Sequence, residues 1–438
     1  MLNSARSDFL APGFLDCPYW SERTPRPVLA QIGLPSQVDV LVIGSGYTGL
    51  CAAIQTARGG RSTLVIDAQV VGWGCSSRNG GQVSSSIKPD FDRLSKQYGA
   101  TKARQVLEEG HRALAWIGDF IQDESIQCDF SVTGRFHGAH VPMYYEKLSQ
   151  RLEGQPQGLE LDAYMVPRSE QYSEINTDLY HGGLVFRRHA AVDPAAFHQG
   201  ILDRALAAGV SVIDCCPALS IEEISGVRKF RVHTSKGAVE ARDVEIATSG
   251  YTGPLTPWQQ RRVIPIGTYM IATEELGEER ATSLIPAGRM ITDTRRVVVY
   301  YRLSPDRQRL LFGGRVSLNE TDPRISAPRL GNQMTTIFPQ LDKVQVTHSW
   351  MGFVGWTYQN LPHLGRHRGI WYSLGYCGSG ISLASYFGTR IGQRVLGSDE
   401  GRTALDELPF RTWPLYNGTP WFLAASIWCY RQLDRLGI

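Results

Sequence analysis

Several features that would assign this 438-residue chain to a specialised class of protein are absent from its sequence. Its eight cysteines form no CxxC pair and no Cys/His cluster at metal-ligand spacing, so we expect reduced thiols and no metal site. No run of about 18 apolar residues occurs, so we expect no membrane-spanning helix. With 45 basic and 42 acidic residues, the net charge of +3 gives no indication of a nucleic-acid partner.

The N-terminal sequence, MLNSARSDFLAPGF, has no apolar segment and no small-residue cleavage site. It predicts an unprocessed, cytoplasmic chain. Internal repeats and low-complexity segments are also missing. What remains is an ordinary globular composition, 42% hydrophobic and 20% charged, with a length that suggests two domains.

The first informative segment combines a strand, a glycine loop, a helix and a second strand that ends in an acidic residue. Val38–Ile43 and Ser62–Ile66 are rich in β-branched residues, which is typical of strands buried on both faces. Between them, residues 44–49 form GxGxxG, whose glycines permit a tight turn, the approach of a pyrophosphate and close helix packing. Asp67 is placed to accept hydrogen bonds from ribose hydroxyls. The segment predicts dinucleotide binding.

A second glycine-rich stretch, GWGCSSRNGGQ at residues 72–82, distinguishes FAD from NAD. FAD is the longer cofactor, and additional backbone must pass close to its flavin, which glycines permit. Ser76, Ser77 and Asn79 offer short hydrogen-bonding groups, and Arg78 can counter phosphate charge. The alternative interpretation is an ordinary polar surface loop. Beside GxGxxG and Asp67, the stretch favours FAD.

Nucleotide-binding elements recur at the start, middle and end of the chain, and alternating strand patterns lie between them. Helical periodicity is present at residues 90–125 and from Pro194 to Ala208, the latter with Asp193 as N-cap. We predict an α/β plus α+β fold in which a Rossmann-like FAD-binding domain is joined to a discontinuous, β-sheet-rich substrate domain. The predicted FAD-binding segments are 1–87, 190–255 and 348–438, and the predicted substrate-binding segments are 88–189 and 256–347.

Six motifs together resemble the D-amino-acid-oxidase/glycine-oxidase superfamily of flavoproteins. They are GSGYTGL (44–50), GWGCSSRNGG (72–81), ATSGYTGPLTP (247–257), IATEEL (271–276), RLLFGGR (309–315) and GYCGSGISLA (375–384). Within the superfamily the chain is most similar to γ-glutamylputrescine-oxidase-like and bacterial L-pipecolate-oxidase-like proteins. The resemblance runs from about Tyr19 to the C-terminus.

The resemblance implies FAD held by residues of the matched motifs. Sarcosine-oxidase-like relatives attach flavin to a cysteine in the segment that matches residues 350–362, where this chain has none, so noncovalent FAD is favoured. Trp356 could wall the flavin or simply pack in the core. The implied FAD-binding residues are Gly44, Ser45, Gly46, Tyr47, Thr48, Gly49, Asp67, Ala68, Gly74, Ser76, Ser77, Arg78, Asn79, Gly80, Gly81, Ala218, Thr248, Ser249, Gly250, Trp356, Gly378, Ser379, Gly380 and Ile381.

The implied activity is oxidation of a C–N bond of an amine or amino acid, with hydride transfer from Cα to flavin N5 and an imine product. A γ-glutamylated polyamine or a cyclic or secondary amino acid such as L-pipecolate would be the substrate. Where such relatives carry lysines for oxygen activation and for the substrate carboxylate, this chain has Leu311 and Ser382. The electron acceptor is therefore oxygen or, alternatively, a quinone. A flavin protein without amine chemistry is a further alternative.

Candidate substrate contacts lie in the segment VVVYYRL. Alternation along a strand places Tyr300 and Arg302 on one face and Tyr301 on the other. We expect Tyr300 or Tyr301 to shape the substrate pocket, and Arg302 or Arg315 to receive a carboxylate, because guanidinium binds carboxylate through two hydrogen bonds. The alternative for each arginine is a solvated side chain or a surface ion pair.

The C-terminal segment, residues 413–436, is apolar and aromatic but too short to span a bilayer. It either packs on the protein's own surface or forms an amphipathic helix that contacts a membrane or a partner. Peripheral contact with the inner face of the membrane would suit a quinone acceptor.

Overall fold

The computed structural model describes residues 9–85, 87–406 and 408–438. Its strands are β1 (Leu10–Leu15), β2 (Gln37–Ile43), β3 (Thr63–Ile66), β4 (Gln82–Val83), β5 (Arg135–Gly138), β6 (Ala163–Val166), β7 (Gly183–Phe186), β8 (Ala190–Ala191), β9 (Ser211–Ile213), β10 (Ala218–Glu223), β11 (Phe230–Thr234), β12 (Gly237–Ile246), β13 (Val263–Thr273), β14 (Met290–Asp293), β15 (Val299–Leu303), β16 (Leu310–Gly314), β17 (Val346–Thr357), β18 (His363–His367) and β19 (Ile370–Leu374). Its helices are α1 (Trp20–Arg23), α2 (Tyr47–Arg58), α3 (Phe91–Tyr98), α4 (Ala100–Asp123), α5 (Pro142–Glu153), α6 (Pro194–Ala207), α7 (Pro257–Gln260), α8 (Glu278–Leu284), α9 (Pro323–Ile337), α10 (Gly380–Val395) and α11 (Leu423–Leu436).

The first sheet has the order β10-β11-β12-β2-β3-β9, and β19, which also pairs with β18, joins β12. Its centre is parallel, because β12, β2, β3 and β9 run in one direction. All four residues of β3 and the last four of β2 are buried, as expected for a parallel sheet covered on both faces. The predicted strand-loop-helix-strand unit is therefore confirmed.

Helix α2 connects β2 to β3 and packs closely along α10. A Cβ atom placed on Gly392 would lie 2.6 Å from the carbonyl oxygen of Ala52, and one placed on Gly388 would collide with the backbone of Thr48. Contacts of both glycines with the same face of α2 show that the two helices run in parallel. Their N-termini therefore lie at the same end of the first sheet, where its parallel strands end.

The second sheet has nine strands in the order β1-β17-β13-β16-β15-β14-β5-β7-β6. Its two longest strands, β13 and β17, pair antiparallel over eleven registered positions. Helix α9 covers one face over an aromatic core that includes Tyr269, Tyr301 and Phe312. This sheet matches the β-rich substrate domain expected from the sequence, and the predicted mixed α/β and α+β fold is confirmed.

The predicted domain boundaries remain a proposal, and three elements lie differently from them. Strands β1 and β17 belong to the second sheet. The sequence had placed β1 and most of β17 in the FAD-binding domain, in its segments 1–87 and 348–438. Helix α4, from the predicted substrate segment, packs into the core around α2 and α10. The helix expected at 90–125 is broken into α3 and α4, because Gly99 adopts a left-handed conformation (φ 83°) that ends the first helix.

In the described parts of the chain, no helix is long and apolar enough to cross a bilayer. Helix α11 at the C-terminus is amphipathic, with Ile427 as its one fully buried side chain. Trp421 before the helix and Trp428 within it are 62% and 58% exposed. The C-terminal helix therefore offers a partly aromatic face to solvent.

Glu245, in β12, is an isolated carboxyl in the core of the first sheet. It is 1% exposed, and neither of its carboxyl oxygens has a hydrogen-bond partner among the described residues. Burial raises the pKa of Glu245 well above its ordinary value, so the folded protein holds it protonated. Since the unfolded chain ionises this group at lower pH, the free energy of unfolding falls as pH rises above the unfolded-state pKa.

We expect Glu245→Met to increase the free energy of unfolding at pH 8 by about 1–3 kcal/mol, the cost of one unsatisfied buried polar group. The gain should shrink towards pH 5, where the glutamate of the wild-type protein is closer to neutral in both states. Chemical unfolding between pH 5 and 8 measures both effects. Glu240→Gln is the matched control, since Glu240 lies in the same strand but is partly exposed and paired with Arg231. A gain independent of pH would contradict the interpretation.

Candidate active site

One cavity of about 970 Å³ extends from the carboxyl ends of the parallel strands to the face of the second sheet. Its volume is at the upper end of the range of small-molecule sites, roughly 300–1,000 Å³. Most of the predicted FAD-binding residues line it. They are Gly44, Ser45, Gly46, Tyr47, Thr48, Asp67, Ala68, Gly74, Ser76, Arg78, Asn79, Gly80, Ala218, Thr248, Ser249, Gly250, Trp356, Gly378, Ser379, Gly380 and Ile381.

The first glycine loop brings the backbone to the cavity at positions that only glycine tolerates. Gly44 has φ 113°, and a Cβ atom there would lie 2.9 Å from the carbonyl oxygen of Ala247. A Cβ on Gly46 would lie 2.9 Å from Ser76 Oγ. The first turn of α2 follows, and its N–H groups, which lack intrahelical partners, favour a negatively charged ligand.

Asp67 holds this loop as well as lining the cavity. Its Oδ2 accepts hydrogen bonds from the Ser45 backbone N–H (2.8 Å) and from Ser45 Oγ (2.6 Å), and its Oδ1 accepts one from the Gln69 N–H (3.0 Å). The carboxylate therefore fixes the conformation of the loop. Its contact with a ribose stays a prediction.

Three residues predicted to contact the cofactor lie outside the cavity and shape its walls. A Cβ on Gly49 would collide with the Gly44 carbonyl, so this glycine serves the packing of α2 on β2. Ser77 donates its hydroxyl hydrogen bond to the Gly72 carbonyl. Gly81 packs so closely that a Cβ would lie 2.8 Å from Arg302 Nη1. We therefore correct their assignment from ligand contact to loop architecture.

The second glycine loop is fixed by hydrogen bonds to its own carbonyl oxygens. Trp20 Nε1 donates to the Asn79 carbonyl (2.9 Å), and Trp350 Nε1 donates to the Arg78 carbonyl (2.7 Å). Arg78 donates from Nε to the Trp73 carbonyl (2.6 Å) and lies over the Trp73 ring, 4.8 Å from its centroid. The loop is thus an ordered wall of the cavity, held from the side of the second sheet.

The late glycine loop forms the opposite wall. Gly375, Cys377 and Gly378 all have positive φ, and the loop leads into the N-terminus of α10 at Gly380. Tyr376 connects this loop to the first one, because its hydroxyl lies 2.6 Å from Thr48 Oγ1. Two helix N-termini, those of α2 and α10, therefore open on one cavity and favour anionic groups there.

His198 is a site residue that the sequence did not indicate. Its Nε2 donates to the Ser45 carbonyl oxygen (2.7 Å), and its ring packs beneath Gly72 and beside Tyr47. Burial lowers its pKa, so the imidazole is neutral. One buried side chain thus connects α6 to both glycine loops, a contact that no sequence spacing reveals.

On the second sheet, the structure separates the two candidate tyrosines. Tyr300 lines the cavity, and its hydroxyl lies 2.8 Å from Thr268 Oγ1. Tyr301 is fully buried on the opposite face, where its hydroxyl lies 2.9 Å from that of Tyr180 and its ring stacks on Phe312. We therefore retain Tyr300 as a candidate for substrate contact and withdraw Tyr301.

The two candidate arginines also differ. Arg302 does not line the cavity, because its guanidinium donates to the carbonyl oxygens of Val192 (2.8 Å) and Gly81 (3.2 Å). Its expected substrate contact is corrected to a structural role. Arg315 lines the cavity but is paired with Glu320, with 2.9 Å between Nη1 and Oε1. Two cations that the sequence did not indicate, Lys88 and Arg135, line the cavity as well.

Comparisons with known proteins agree with this geometry. Residues 39–394 match the family described as FAD dependent oxidoreductase. The chain is 32% identical over 418 residues to gamma-glutamylputrescine oxidoreductase of Escherichia coli (strain K12), covering 91% of this chain and 93% of that protein. It is 30% identical over 432 residues to a probable oxidoreductase, OrdL, of Rhizobium meliloti (strain 1021), covering 97% and 98%. Its fold is similar to that of glycine oxidase from Geobacillus kaustophilus, with a TM-score of 0.68 at 17% identity over 86% of this chain and 99% of that one.

The cavity fits FAD, the cofactor of this family. Two backbone positions that exclude a Cβ atom and two helix N-termini suit a pyrophosphate, and an ordered second glycine loop extends the wall towards the second sheet. Contacts between individual residues and the flavin stay predictions.

We expect His198→Leu to weaken FAD binding about tenfold, because loss of one buried hydrogen bond costs about 1–1.5 kcal/mol and loosens the Ser45 carbonyl. His198→Gln, which can still donate to that carbonyl, should recover part of the affinity. Fluorescence titration of the flavin-depleted protein measures the dissociation constant. His363→Leu is the control, because His363 is equally buried but lies against Phe410, outside the cavity. Equal losses in both leucine variants would refute the positioning role.

Proposed function

We propose, since the chain belongs to the FAD-dependent oxidoreductase family, that it oxidises a C–N bond of a small amine or amino acid. A γ-glutamylated polyamine is the first candidate substrate, and a cyclic or secondary amino acid such as L-pipecolate is the second. FAD is proposed to bind noncovalently and to transfer the electrons to oxygen. The similarity to gamma-glutamylputrescine oxidoreductase supports the first substrate.

The cavity continues beyond the glycine loops and ends at a wall formed by the second sheet. This continuation is the main support for the proposal. Thr268, Met270 and Tyr300 form that wall and face the second loop, where a Cβ on Gly80 would lie 3.2 Å from the Tyr300 ring. The cavity thus has room for a substrate beside the loops proposed to follow the flavin. The remainder of the wall mixes polar and apolar side chains and contains no carboxylate among the described residues.

FAD supplies the oxidant when bound, by accepting a hydride from the substrate carbon. The protein's own residues bind and orient the substrate and exclude water. Tyr300 and Thr268 offer one hydroxyl pair that can donate to or accept from the substrate amine. The packed ring of Tyr300 also limits access of water to the Gly80 side of the cavity. Amine oxidation needs little more than an acceptor for the ammonium proton, so the lack of an acid–base carboxylate pair is compatible with it.

The test is anaerobic reduction of the bound flavin by a panel of amines. We expect γ-glutamylputrescine or L-pipecolate to bleach the absorption of the oxidised flavin, and putrescine, proline and sarcosine to do so more slowly. Dithionite serves as the positive control for a reducible flavin. If dithionite bleaches the flavin and no amine does, amine oxidation is refuted and a flavin protein without amine chemistry is favoured.

A quinone-linked dehydrogenase is the second candidate, and the C-terminal helix favours it. Asp434 in α11 accepts hydrogen bonds from the backbone N–H groups of Arg296 (2.8 Å) and Val297 (3.1 Å), both of which line the cavity. Helix α11, which carries the exposed Trp428 and follows the exposed Trp421, is therefore joined to the cavity wall near its C-terminal end. Tryptophan is typical of membrane interfaces. A membrane-bound quinone could thus reach the site by this side.

For this candidate we expect the protein to co-sediment with vesicles that contain anionic phosphatidylglycerol. The double variant Trp421→Ser/Trp428→Ser should reduce the bound fraction of protein severalfold. Arg431 and Arg435 on the helix supply the positive charge. Val227→Ser, which removes an exposed apolar side chain from the loop between β10 and β11, should leave binding unchanged. Fast hydrogen peroxide formation during turnover, together with no vesicle binding, would favour the oxidase instead.

A further inference from the structure

Arg135 is a charged side chain that lines the cavity and has no counter-ion among the described residues. It begins β5, next to Phe186 of β7, and its guanidinium carbon lies 4.7 Å from the centroid of the Phe186 ring. Its Nε is buried and has no hydrogen-bond partner among the described residues. Burial lowers the pKa of Arg135 to about 10, so it remains charged at neutral pH. A buried arginine without a partner is destabilising unless a ligand compensates its charge.

Lys88 is a second cation at the same place, contributed by the segment that follows the second glycine loop. It lines the cavity, and its side chain is exposed. The charge of Arg135 acts on Lys88, which places the two cations within interaction range. No carboxylate of the described chain contributes to the charge environment of either group.

The surroundings of this pair do not neutralise it. His137 follows on the same face of β5, with 2.9 Å between its Nδ1 and Thr292 Oγ1, and burial lowers its pKa to about 3, so it is neutral. Among the described lining residues, the one carboxylate is Asp67, which lies with the first glycine loop. The cation of Arg315, by contrast, is already paired with a carboxylate. Two cations from different parts of the chain, neither compensated by a described carboxylate, therefore line the cavity.

We propose that Arg135 and Lys88 form a receptor for a carboxylate of the substrate, so the substrate is an amine that also carries a carboxylate. The fork of Arg135 provides paired N–H donors for the two oxygens, and Lys88 adds a point charge. This inference rests on the proposed function and narrows its substrate class. It also moves the carboxylate receptor away from Arg302 and Arg315.

The direct test is binding of a simple carboxylate to the oxidised, FAD-loaded enzyme, observed as a change in the visible spectrum of the flavin. The probe is butyrate, and butyramide, which has the same shape without the charge, is its control. We expect butyrate to saturate the spectral change and butyramide to bind at least tenfold more weakly. Arg135→Met and Lys88→Met should each increase the dissociation constant of butyrate at least tenfold, while Arg135→Lys should have a smaller effect.

Arg296→Met is the matched control for loss of positive charge. Arg296 also lines the cavity, but its guanidinium lies over Tyr430 of the C-terminal helix, 6.0 Å from the ring centroid. We expect less than a twofold change in butyrate affinity for this variant. Arg135→Lys and Lys88→Met keep the test informative if Arg135→Met fails to fold.

The pH dependence supplies a second readout. Of the groups that face Lys88, Arg135 and His137 keep one charge state between pH 6 and 9, and burial raises the pKa of Cys377 to about 11. Arg151 is the remaining neighbour and is an arginine, charged throughout. Burial lowers the pKa of Lys88 to about 8, so its charge is lost as pH rises through 8.

Butyrate affinity should therefore be highest below pH 8 and fall above it. Lys88→Arg, which stays charged, should remove that fall.

Three results would overturn the receptor. The first is an unchanged affinity for butyrate in both methionine variants, and the second is equal binding of butyramide and butyrate. The third is a loss of FAD affinity in Arg135→Met while butyrate binding stays intact. That result would make these cations part of the cofactor site. Failure of the proposed function has a different signature. In that case butyrate still perturbs the flavin and depends on Arg135 and Lys88, but no amine reduces the flavin.

Discussion

The close contact between α2 and α10 is the constraint on which the site depends. Gly388 and Gly392 let the backbone of α10 approach that of α2, and any Cβ atom at either position would separate the helices. Because the helices are parallel, this contact also brings their N-termini to one cavity. The hydrogen bond between Tyr376 and Thr48 then joins the two loops that lead into these helices. The positive potential of the site is thus produced by backbone that the packing of two helices holds in place.

The second glycine loop transmits this arrangement to the other sheet. Its carbonyl oxygens at Arg78 and Asn79 accept hydrogen bonds from the indoles of Trp350 and Trp20. Trp350 belongs to β17, the long strand that pairs with β13, so the loop is fixed relative to the wall that carries Tyr300. A cofactor lying along the loop and a substrate lying on the wall would therefore keep a set separation. The indole of Trp20 also gives the N-terminal segment a role in the site, although the described residues before β2 do not line the cavity.

The sequence predicted the local parts of this site and missed the parts that depend on tertiary contact. Both glycine loops were recognisable, because tight turns and close backbone approach require glycine at fixed spacing. Strand alternation also placed Tyr300 and Tyr301 on opposite faces correctly, but it could not show which face meets the cavity. Arg302 shares the face of Tyr300, yet the backbone of the second loop and of Val192 covers it and accepts its hydrogen bonds. Alternation gives the direction of a side chain, whereas the covering segment decides whether a ligand can reach it.

The two cations of the cavity also depend on tertiary contact and could not be predicted from the sequence. Lys88 and Arg135 are 47 residues apart and lie in a loop and a short strand with no motif, so nothing in the sequence connects them. Their significance comes from what surrounds them, since the charge of an arginine beside a carboxylate, such as Arg315 beside Glu320, is already compensated. The charges along the cavity are therefore unequal. Helix N-termini favour phosphate at one end, and unpaired side-chain cations favour a carboxylate at the other. A neutral amine that carries a carboxylate would be held by its anionic group and leave its C–N bond free to be oriented by Tyr300 and Thr268.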